Sequence, residues 1–465
     1  MFGIVPAFVA VQVLLSQVQG TGEIPVSAEA HRFTFAEIQA HARTDDLRIL
    51  AADSELRSLQ AQYQQAAWAW FPKLETFITV AGPMPEAQTA PGSVPYENVT
   101  PGSTMYSFRT GKVGVLVGAQ TTATVPIFTF GKLTALKEAA EQGVVVGEQL
   151  RERTRAEVAY QCAEAWYGYQ LARTVEGNLD DSSKQLDDAK KRVHEMLRAD
   201  STQVSKLDAY KLDFFENLLA TQKTSARRGR ELALAALRIL AGVSDSAPFF
   251  VVDEDLADPK FELKSPERYV TAALRARPEV KLAAAGVAAR DREVFIRERS
   301  FLPDFFLGGT ASAYYTNSAQ VVTNPFYYDR YNQFEAGIGL GARLTFDLPV
   351  KLSQLDQAEA DRDKTAAERD LMTKSIGLEV KQTVGELHES LIRLNRFGDS
   401  ERTARRWLTG AFADFEVGLS DTRELIEALA AKSYAGGERL RALHDSLLAI
   451  AALQRAVGAD PRTVQ

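Results

Sequence analysis

The chain has 465 residues, 45% of them hydrophobic, and a formal net charge of −7. This charge argues against nucleic acid as a main partner, because a phosphate backbone requires a concentrated positive field. The single cysteine, Cys162, excludes an internal disulfide and a cysteine-rich zinc site, and the five histidines lack metal-binding spacing, so we expect no metal and no cofactor.

Residues 1–20, MFGIVPAFVAVQVLLSQVQG, are apolar from Phe2 to Leu15 and then become polar. The segment resembles a signal peptide, although it has no basic residue at its start. The alternatives are a buried strand or helix, or a misassigned start codon. Beyond this segment the sequence contains no run of about 18 apolar residues, so we expect no transmembrane helix.

The rest of the chain contains an internal sequence duplication. KLTALKEAA begins at Lys132 and KLSQLDQAEA at Lys351, which is 219 residues later, while the proline of WFPKLETF, Pro72, matches Pro303 of SFLPDFFL 231 residues later. The difference between the two offsets falls in loops rich in Gly, Pro, Asn and Tyr. The pattern predicts a first structural repeat over 34–243, a linker or equatorial segment over 244–265, and a second structural repeat over 266–460.

Each repeat reads as a helix, two strands, a very long helix, a turn and a return helix. The first repeat has an opening helix over about 35–70, strands over 74–81 and 113–127, and a helical hairpin over 133–240. The second has strands over 305–315 and 332–348 and a hairpin over 351–457. At 1.5 Å per residue the long helices would span roughly 100 Å, which favours coiled-coil packing in a layered cylinder or rod.

The strand at 332–348, NQFEAGIGLGARLTFDL, alternates over an unusual length. Even positions from Phe334 to Leu348 are apolar, and odd positions are Gly or polar. A lipid-facing strand needs about 9–11 such residues. The glycines at 337, 339 and 341 do not fit a dinucleotide loop, because the strand continues through them, so we interpret them as pore-facing. Seven aromatic residues near the loop are typical of an interfacial girdle: Tyr314, Tyr315, Phe326, Tyr327, Tyr328, Tyr331 and Phe334.

Two hairpins supply four strands per chain. A closed membrane barrel needs at least about eight, because open strand edges do not occur in lipid. The strands therefore predict a barrel shared between several copies.

With these features the sequence resembles the TolC family of outer-membrane efflux proteins over nearly all of residues 34–460. The resemblance rests on the duplication and on four short motifs: VPIF at 125–128 followed by Gly131-Lys132, Phe71-Pro72, Leu302-Pro303, and FEVGLS at 415–420. It implies a fold that is mostly α with a transmembrane β-barrel, in which a homotrimer shares twelve strands and a long coiled-coil α-barrel crosses the periplasm.

The resemblance also implies a function. The chain would be a passive exit duct of a tripartite efflux pump or type I secretion system, in the outer membrane of a Gram-negative bacterium. Its partners would be a periplasmic adaptor (membrane fusion protein), an inner-membrane transporter and outer-membrane lipid, without nucleic acid and without enzymatic activity.

In the family, two acidic residues three apart after the second tip form rings that constrict the periplasmic entrance. Glu424 and Glu427 occupy those positions, and the spacing i, i+3 puts both on one helix face. Three copies would bring six carboxylates to a narrow mouth. The alternative is a solvated helix face. In the first repeat Asp208 aligns with Glu427, and Ser205 replaces the other acid.

The tips of the two hairpins are implied to dock on the adaptor. They comprise Ala199, Asp200 and Ser201 in the first repeat and Val417, Gly418, Leu419 and Ser420 in the second. Gly418 suits a turn with positive φ, and the first tip lacks this glycine. Phe415 stands where the family often carries a tyrosine that bonds across the closed gate, so we expect this gate to be held by packing.

Two other classes remain open from the residues alone. A periplasmic coiled-coil structural or adaptor protein without a pore would explain the helices, but it has no use for two amphipathic hairpins at matching positions. An enzyme is not supported, because the sequence shows no nucleophile–base spacing, metal cluster or phosphate loop.

Overall fold

The computed structural model describes residues 31–89, 106–199, 204–318, 331–417, 419–420 and 422–464. The predicted signal peptide lies outside these ranges. In chain order the elements are β1 Arg32–Phe33, α1 Phe35–Asp45, α2 Leu47–Ala67, β2 Lys73–Thr89, β3 Tyr106–Phe128, α3 Lys132–Arg198, α4 Lys206–Leu240, β4 Phe250–Val251, α5 Pro266–Ala276, α6 Pro278–Arg299, β5 Asp304–Thr316, β6 Gln333–Arg343, α7 Leu348–Glu416 and α8 Thr422–Val457.

The duplication is visible in the order of these elements. Each half contains two short helices, two long strands, one very long helix and one return helix. The long helices α3 and α7 have 67 and 69 residues. The predicted mostly α fold with a duplicated unit and four strands per chain is therefore confirmed.

The opening helix of each repeat is broken, which the sequence prediction did not include. In the first repeat Asp46 ends α1 and caps α2, because its side chain accepts a hydrogen bond from Arg48 N at 2.8 Å. In the second repeat Arg277 takes an extended conformation, with φ −63° and ψ 132°, as expected before Pro278. Asp46 and Arg277 are 231 residues apart, so both breaks fall at the same position of the repeat.

Arg277, at the break between α5 and α6, forms an ion pair with the neighbouring helix α7. Its guanidinium is almost buried and pairs with Glu279 at 3.0 Å and with Glu379 of α7 at 2.5 Å. Burial lowers the pKa of Arg277, but these two hydrogen bonds outweigh burial and raise it above its ordinary value. In the first repeat the charges are reversed, since Asp46 pairs there with Arg48 at 2.8 Å.

The strand bounds differ from the predicted ones in both repeats. β2 and β3 extend beyond 74–81 and 113–127. In contrast, β6 ends at Arg343 and not at 348. Arg343 pairs with Asp304, the first residue of β5, so residues 344–347 have no partner strand in the described chain. α7 then begins at Leu348, with Pro349 in its first turn.

The four long strands form one antiparallel sheet in the order β2-β3-β5-β6. This order places the two hairpins side by side, with the second strand of the first repeat against the first strand of the second. β2 and β6 are the edges of the sheet. Both edges leave a row of backbone groups without a partner strand in the described chain.

The chain divides into two compact units. One contains the described residues up to Ala42 and residues Cys162–Ala257. In it β1 pairs with β4 in parallel, Phe35 packs against Trp166 with ring centroids 5.5 Å apart, and Cys162 is fully buried. Lys190 of α3 joins α4 through Asp213 at 2.7 Å and Glu216 at 2.5 Å.

The second unit contains Arg43–Gln161 and Asp258–Gln465, and so includes the sheet. α5 packs against α7 and α8, and its Tyr269 is fully buried. Around it lies an apolar cluster that closes this part of the helical hairpin: Ala273, Ile376, Val380, Val384, Leu387, Leu453, Ala456 and Val457.

Candidate functional site

One face of the sheet is apolar across all four strands. The register brings Val80 of β2 opposite Val117, Val117 opposite Tyr315, and Leu307 of β5 opposite Leu340 of β6. Ile78, Val80, Ile338 and Leu340 are 69% to 83% exposed. The polar pair Thr76–Thr121 on this face is satisfied internally, with hydroxyl oxygens 3.1 Å apart. The predicted alternation is therefore matched by a continuous apolar surface, which suits contact with lipid chains.

The opposite face carries polar and small residues. It presents Glu75, Gln120, Ser312, Glu335 and Arg343 together with most of the strand glycines. Successive side chains of a strand point to opposite faces, so this face alternates with the apolar one along each strand. It also carries three aromatic side chains, Phe77, Phe306 and Tyr314.

The glycines of this polar face serve two different purposes. Gly337 and Gly339 have open space where a Cβ would lie. Gly341 is different, because a Cβ there would lie 2.6 Å from the Phe306 ring. Similarly, a Cβ at Gly118 would lie 2.2 Å from Tyr314 Cδ1. These two glycines make room for an aromatic ring across the ladder.

The predicted aromatic girdle is divided between the two faces. Tyr315 and Phe334 lie on the apolar face and are 61% and 75% exposed. Tyr314 lies on the polar face, over Gly118, and its hydroxyl donates to Gln120 Oε1 at 3.4 Å. Phe326, Tyr327 and Tyr328 lie outside the described residues.

The repeat-equivalent lysines at the strand-to-helix junctions converge on one turn. Lys132 Nζ lies 2.6 Å from Asp304 Oδ1 and donates to Leu302 O at 3.3 Å. Lys351 Nζ donates to Ser300 O at 2.8 Å and to Thr345 O at 2.7 Å. Together they satisfy the carbonyl groups at the end of α6, where the chain enters the sheet.

Glu424 and Glu427 lie in the first two turns of α8, which follows the C-terminal end of α7. Both are exposed, and each has a partner in its own chain. Trp407 Nε1 of α7 donates to Glu424 Oε1 at 2.6 Å, and Arg423 Nε donates to Glu427 Oε1 at 2.8 Å. Trp407 was not predicted from the sequence, because its 17-residue separation from Glu424 gives no local signal.

The second tip joins α7 to α8. The carbonyl group of Asp414 accepts hydrogen bonds from Leu419 N at 2.8 Å and Ser420 N at 3.2 Å. Val417 and Leu419 are 69% and 81% exposed, whereas Phe415 is buried within the chain. Gly418 lies outside the described residues.

The first tip differs from the second. Ala199 is exposed, and Asp200 and Ser201 lie outside the described residues. Asp208, the equivalent of Glu427, accepts hydrogen bonds from Ser205 N at 3.0 Å and Ser205 Oγ at 2.8 Å. Burial raises the pKa of Asp208, but these bonds and Lys211 outweigh burial and hold it below its ordinary value. The acid therefore stabilises the start of α4.

Two further properties concern the described residues only. They contain no cluster of His, Cys, Asp and Glu side chains that could hold a metal ion. None of their helices has the length and hydropathy needed to cross a membrane.

Solved outer-membrane proteins match this structure along most of their length. The outer-membrane channel OprN has a TM-score of 0.75 and 15% identity, covering 91% of this chain and 90% of its own. The outer membrane protein VceC from Vibrio cholerae has a TM-score of 0.72 and 16% identity, covering 91% and 96%. The open state of the Neisseria gonorrhoeae MtrE outer membrane channel has a TM-score of 0.70 and 14% identity, covering 93% and 90%.

At these identities the likeness shows the fold. No protein-family model matches the sequence, and no curated protein matches it either. The chain has the fold of the TolC-like outer-membrane channels, as its motifs and duplication predicted.

Proposed function

We propose that this chain, folded as a TolC-like channel, forms a passive exit duct in the outer membrane of a Gram-negative bacterium and extends into the periplasm. The observation that carries the proposal is the sheet β2-β3-β5-β6, which is apolar on one face and polar on the other. A sheet of this kind encloses water on its polar side when it closes in lipid. OprN and MtrE, two of the solved proteins of this fold named above, are outer-membrane channels, and the proposal assigns no enzymatic activity.

The duct is a homotrimer in this proposal. One chain supplies four strands and leaves β2 and β6 as open edges, and open edges do not occur in lipid. Three copies would supply twelve strands, which is within the range of closed membrane barrels. Outer-membrane lipid would then contact the apolar face.

A passive duct needs partners that supply energy and select the substrate. We assign these roles to an inner-membrane transporter and a periplasmic adaptor, in a tripartite efflux pump or a type I secretion system. The exposed tip residues Val417 and Leu419 suit docking on the adaptor, because they present apolar side chains at the end of the hairpin. Glu424 and Glu427 would form the acidic constriction of the entrance.

The test is electrical. Purified protein added to planar lipid bilayers should give stepwise, cation-selective conductance, and the protein should migrate as a trimer. A folded, helical oligomer that never produces conductance steps would contradict the duct and favour a periplasmic coiled-coil rod without a pore.

A further inference from the structure

We propose that β6 of one copy pairs with β2 of the next in a defined register, in which Leu340 lies opposite Val80 and Gly339 opposite Ala81. This inference rests on the proposed assembly into a shared barrel. It goes further by naming the residues that meet at the junction between copies.

The two in-chain hairpins share one register. Lys73 pairs with Thr124 in the first hairpin, and Asp304 pairs with Arg343 in the second. Asp304 lies 231 residues after Lys73, and Arg343 lies 219 residues after Thr124. These are the same offsets that relate Pro72 to Pro303 and Lys132 to Lys351. The structure therefore preserves the sequence duplication residue by residue within the sheet.

The third ladder of the chain, between β3 and β5, joins one repeat to the other. In a closed ring the junction between copies is its counterpart, because β6 corresponds to β3 and the β2 of the next copy corresponds to β5. In the β3–β5 ladder Thr121 pairs with Ala311. The counterpart of Thr121 in β6 is Leu340, 219 residues later, and the counterpart of Ala311 in β2 is Val80, 231 residues earlier. The same pairing between copies therefore places Leu340 opposite Val80. The pair Gln120–Ser312 becomes Gly339 opposite Ala81 in the same way.

This register keeps the two faces of the sheet separate. Leu340 and Val80 both belong to the apolar face, as do Ala342 and its inferred partner Ile78. A shift of one residue would turn the apolar side chains of one strand toward the polar face of the next. Equally, a shift of two residues would break the correspondence with the β3–β5 ladder.

The inferred ladder also provides partners for Leu344 and Thr345. Their counterparts at the end of β3 pair with β5 as far as Phe128, whereas 344–347 have no partner strand in the described chain. In the inferred register Leu344 meets Thr76 and Thr345 meets Glu75. The alternation of the sequence then continues in a paired strand as far as Thr345, the counterpart of Pro126, after which the β3–β5 ladder has a bulge.

Disulfide trapping tests the register with a matched control. Ala81→Cys/Gly339→Cys joins inferred partners, and Ala81→Cys/Gly337→Cys is displaced by two residues. Gly337 and Gly339 both have open space for a side chain, so the two variants differ only in register. The native Cys162 is fully buried, and the unmodified chain controls for it.

A second inferred pair of cysteine variants, with its own displaced control, tests the neighbouring position of the ladder. Val80→Cys/Leu340→Cys and Val80→Cys/Ile338→Cys lie on the apolar face. Neighbouring pairs of an antiparallel ladder alternate between closer and wider spacing, so one of the two inferred pairs has the closer geometry.

After oxidation, we expect covalent dimers and trimers on non-reducing gels from at least one inferred pair, with yields at least fivefold above its displaced control. A bond within one chain is excluded, because three strand spacings of about 4.8 Å separate β2 from β6 and a disulfide requires Cα atoms within about 7 Å.

Equal or greater cross-linking of the displaced variants would overturn the register, as would conducting trimers that cross-link in neither set. Either result would leave the duct intact. A chain that remains monomeric and forms no channel would overturn both the register and the proposed function.

Discussion

Trp407 Nε1 donates a hydrogen bond to Glu424 Oε1 at 2.6 Å, which joins the end of α7 to the start of α8. The bond crosses between the two antiparallel helices of the second hairpin. It holds one proposed gate carboxylate in a single orientation within its own chain. If three copies form a carboxylate ring, the Glu424 side chains of that ring are already oriented before the copies assemble.

Replacing this donor should loosen the entrance. Because a hydrogen bond to a charged group contributes about 1.5–3 kcal/mol when buried and Trp407 is 40% exposed, we expect a loss of about 1 kcal/mol in Trp407→Phe. The open probability in bilayers should rise about fivefold. Trp68→Phe, at the end of α2, is the control. An equal open probability in the two variants would show that the hydrogen bond from Trp407 to Glu424 does not hold the entrance closed.

The acidic pair should set ion selectivity. We expect Glu424→Gln/Glu427→Gln to reduce the ratio of cation to anion permeability, because the charge of the proposed rings is removed. Arg423→Gln should act in the opposite direction, since it removes the positive charge 2.8 Å from Glu427. Reversal potentials under a salt gradient measure both effects. The exposed pair Asp363→Asn/Asp370→Asn removes the same charge elsewhere, and an equal effect there would contradict the assignment.

Phe415 and Leu419 should respond differently to truncation. Phe415 is buried and Leu419 is 81% exposed, although they lie four residues apart at the same tip. We expect Phe415→Ala to destabilise the tip by about 3–5 kcal/mol and Leu419→Ala to change it by less than about 0.5 kcal/mol. The rates of amide hydrogen exchange at the α7–α8 tip measure the stability of the tip in the two variants. Similar exchange in both variants would show that burial of Phe415 does not hold the tip.

Adaptor binding should depend on the exposed side chain of Leu419. Leu419→Ala removes exposed apolar surface from the proposed docking site and should weaken adaptor binding by about tenfold, as typical for loss of an interface anchor. Undiminished adaptor binding by Leu419→Ala in a pull-down titration would move the docking surface away from this tip.

The glycines of the polar face provide another matched pair. Gly118→Ala places a Cβ 2.2 Å from the Tyr314 ring, whereas Gly337→Ala meets open space. We expect Gly118→Ala to lower the heat resistance of the assembled oligomer on gels, since overpacking costs about 1–3 kcal/mol. Gly337→Ala should be neutral or stabilising by about 0.5–1 kcal/mol. The opposite ranking would exclude the ring-over-glycine packing.

The start of α4 should depend on pH. The folded-state pKa of Asp208 lies below its ordinary value, so its stabilisation is complete above the unfolded pKa of about 4 and is lost as pH falls through the folded value. Asp208→Ala should speed hydrogen exchange at residues 204–212 at pH 7 by roughly tenfold, because a helix cap contributes about 1 kcal/mol or slightly more. Unchanged exchange in the variant would show that the cap is not formed.

Several features follow from the sequence because they are local or periodic. Alternation from Phe334 onward predicted a two-faced strand, and two constant offsets predicted the duplicated order of elements. Leu133 to Leu197 predicted one uninterrupted helix because the segment contains no proline, and α3 covers it. The duplication and the order of the four short motifs, two of which contain Pro72 and Pro303, together predicted the fold.

Tertiary structure decided what depends on partners distant in the chain. β6 ends at Arg343 because its neighbour β5 begins at Asp304, and no pattern within 332–348 contains that information. The bond from Trp407 to Glu424 likewise depends on a contact between two different helices. A strand's alternation is a property of its own residues, whereas its length and register are set by the strand beside it, which only the folded sheet supplies.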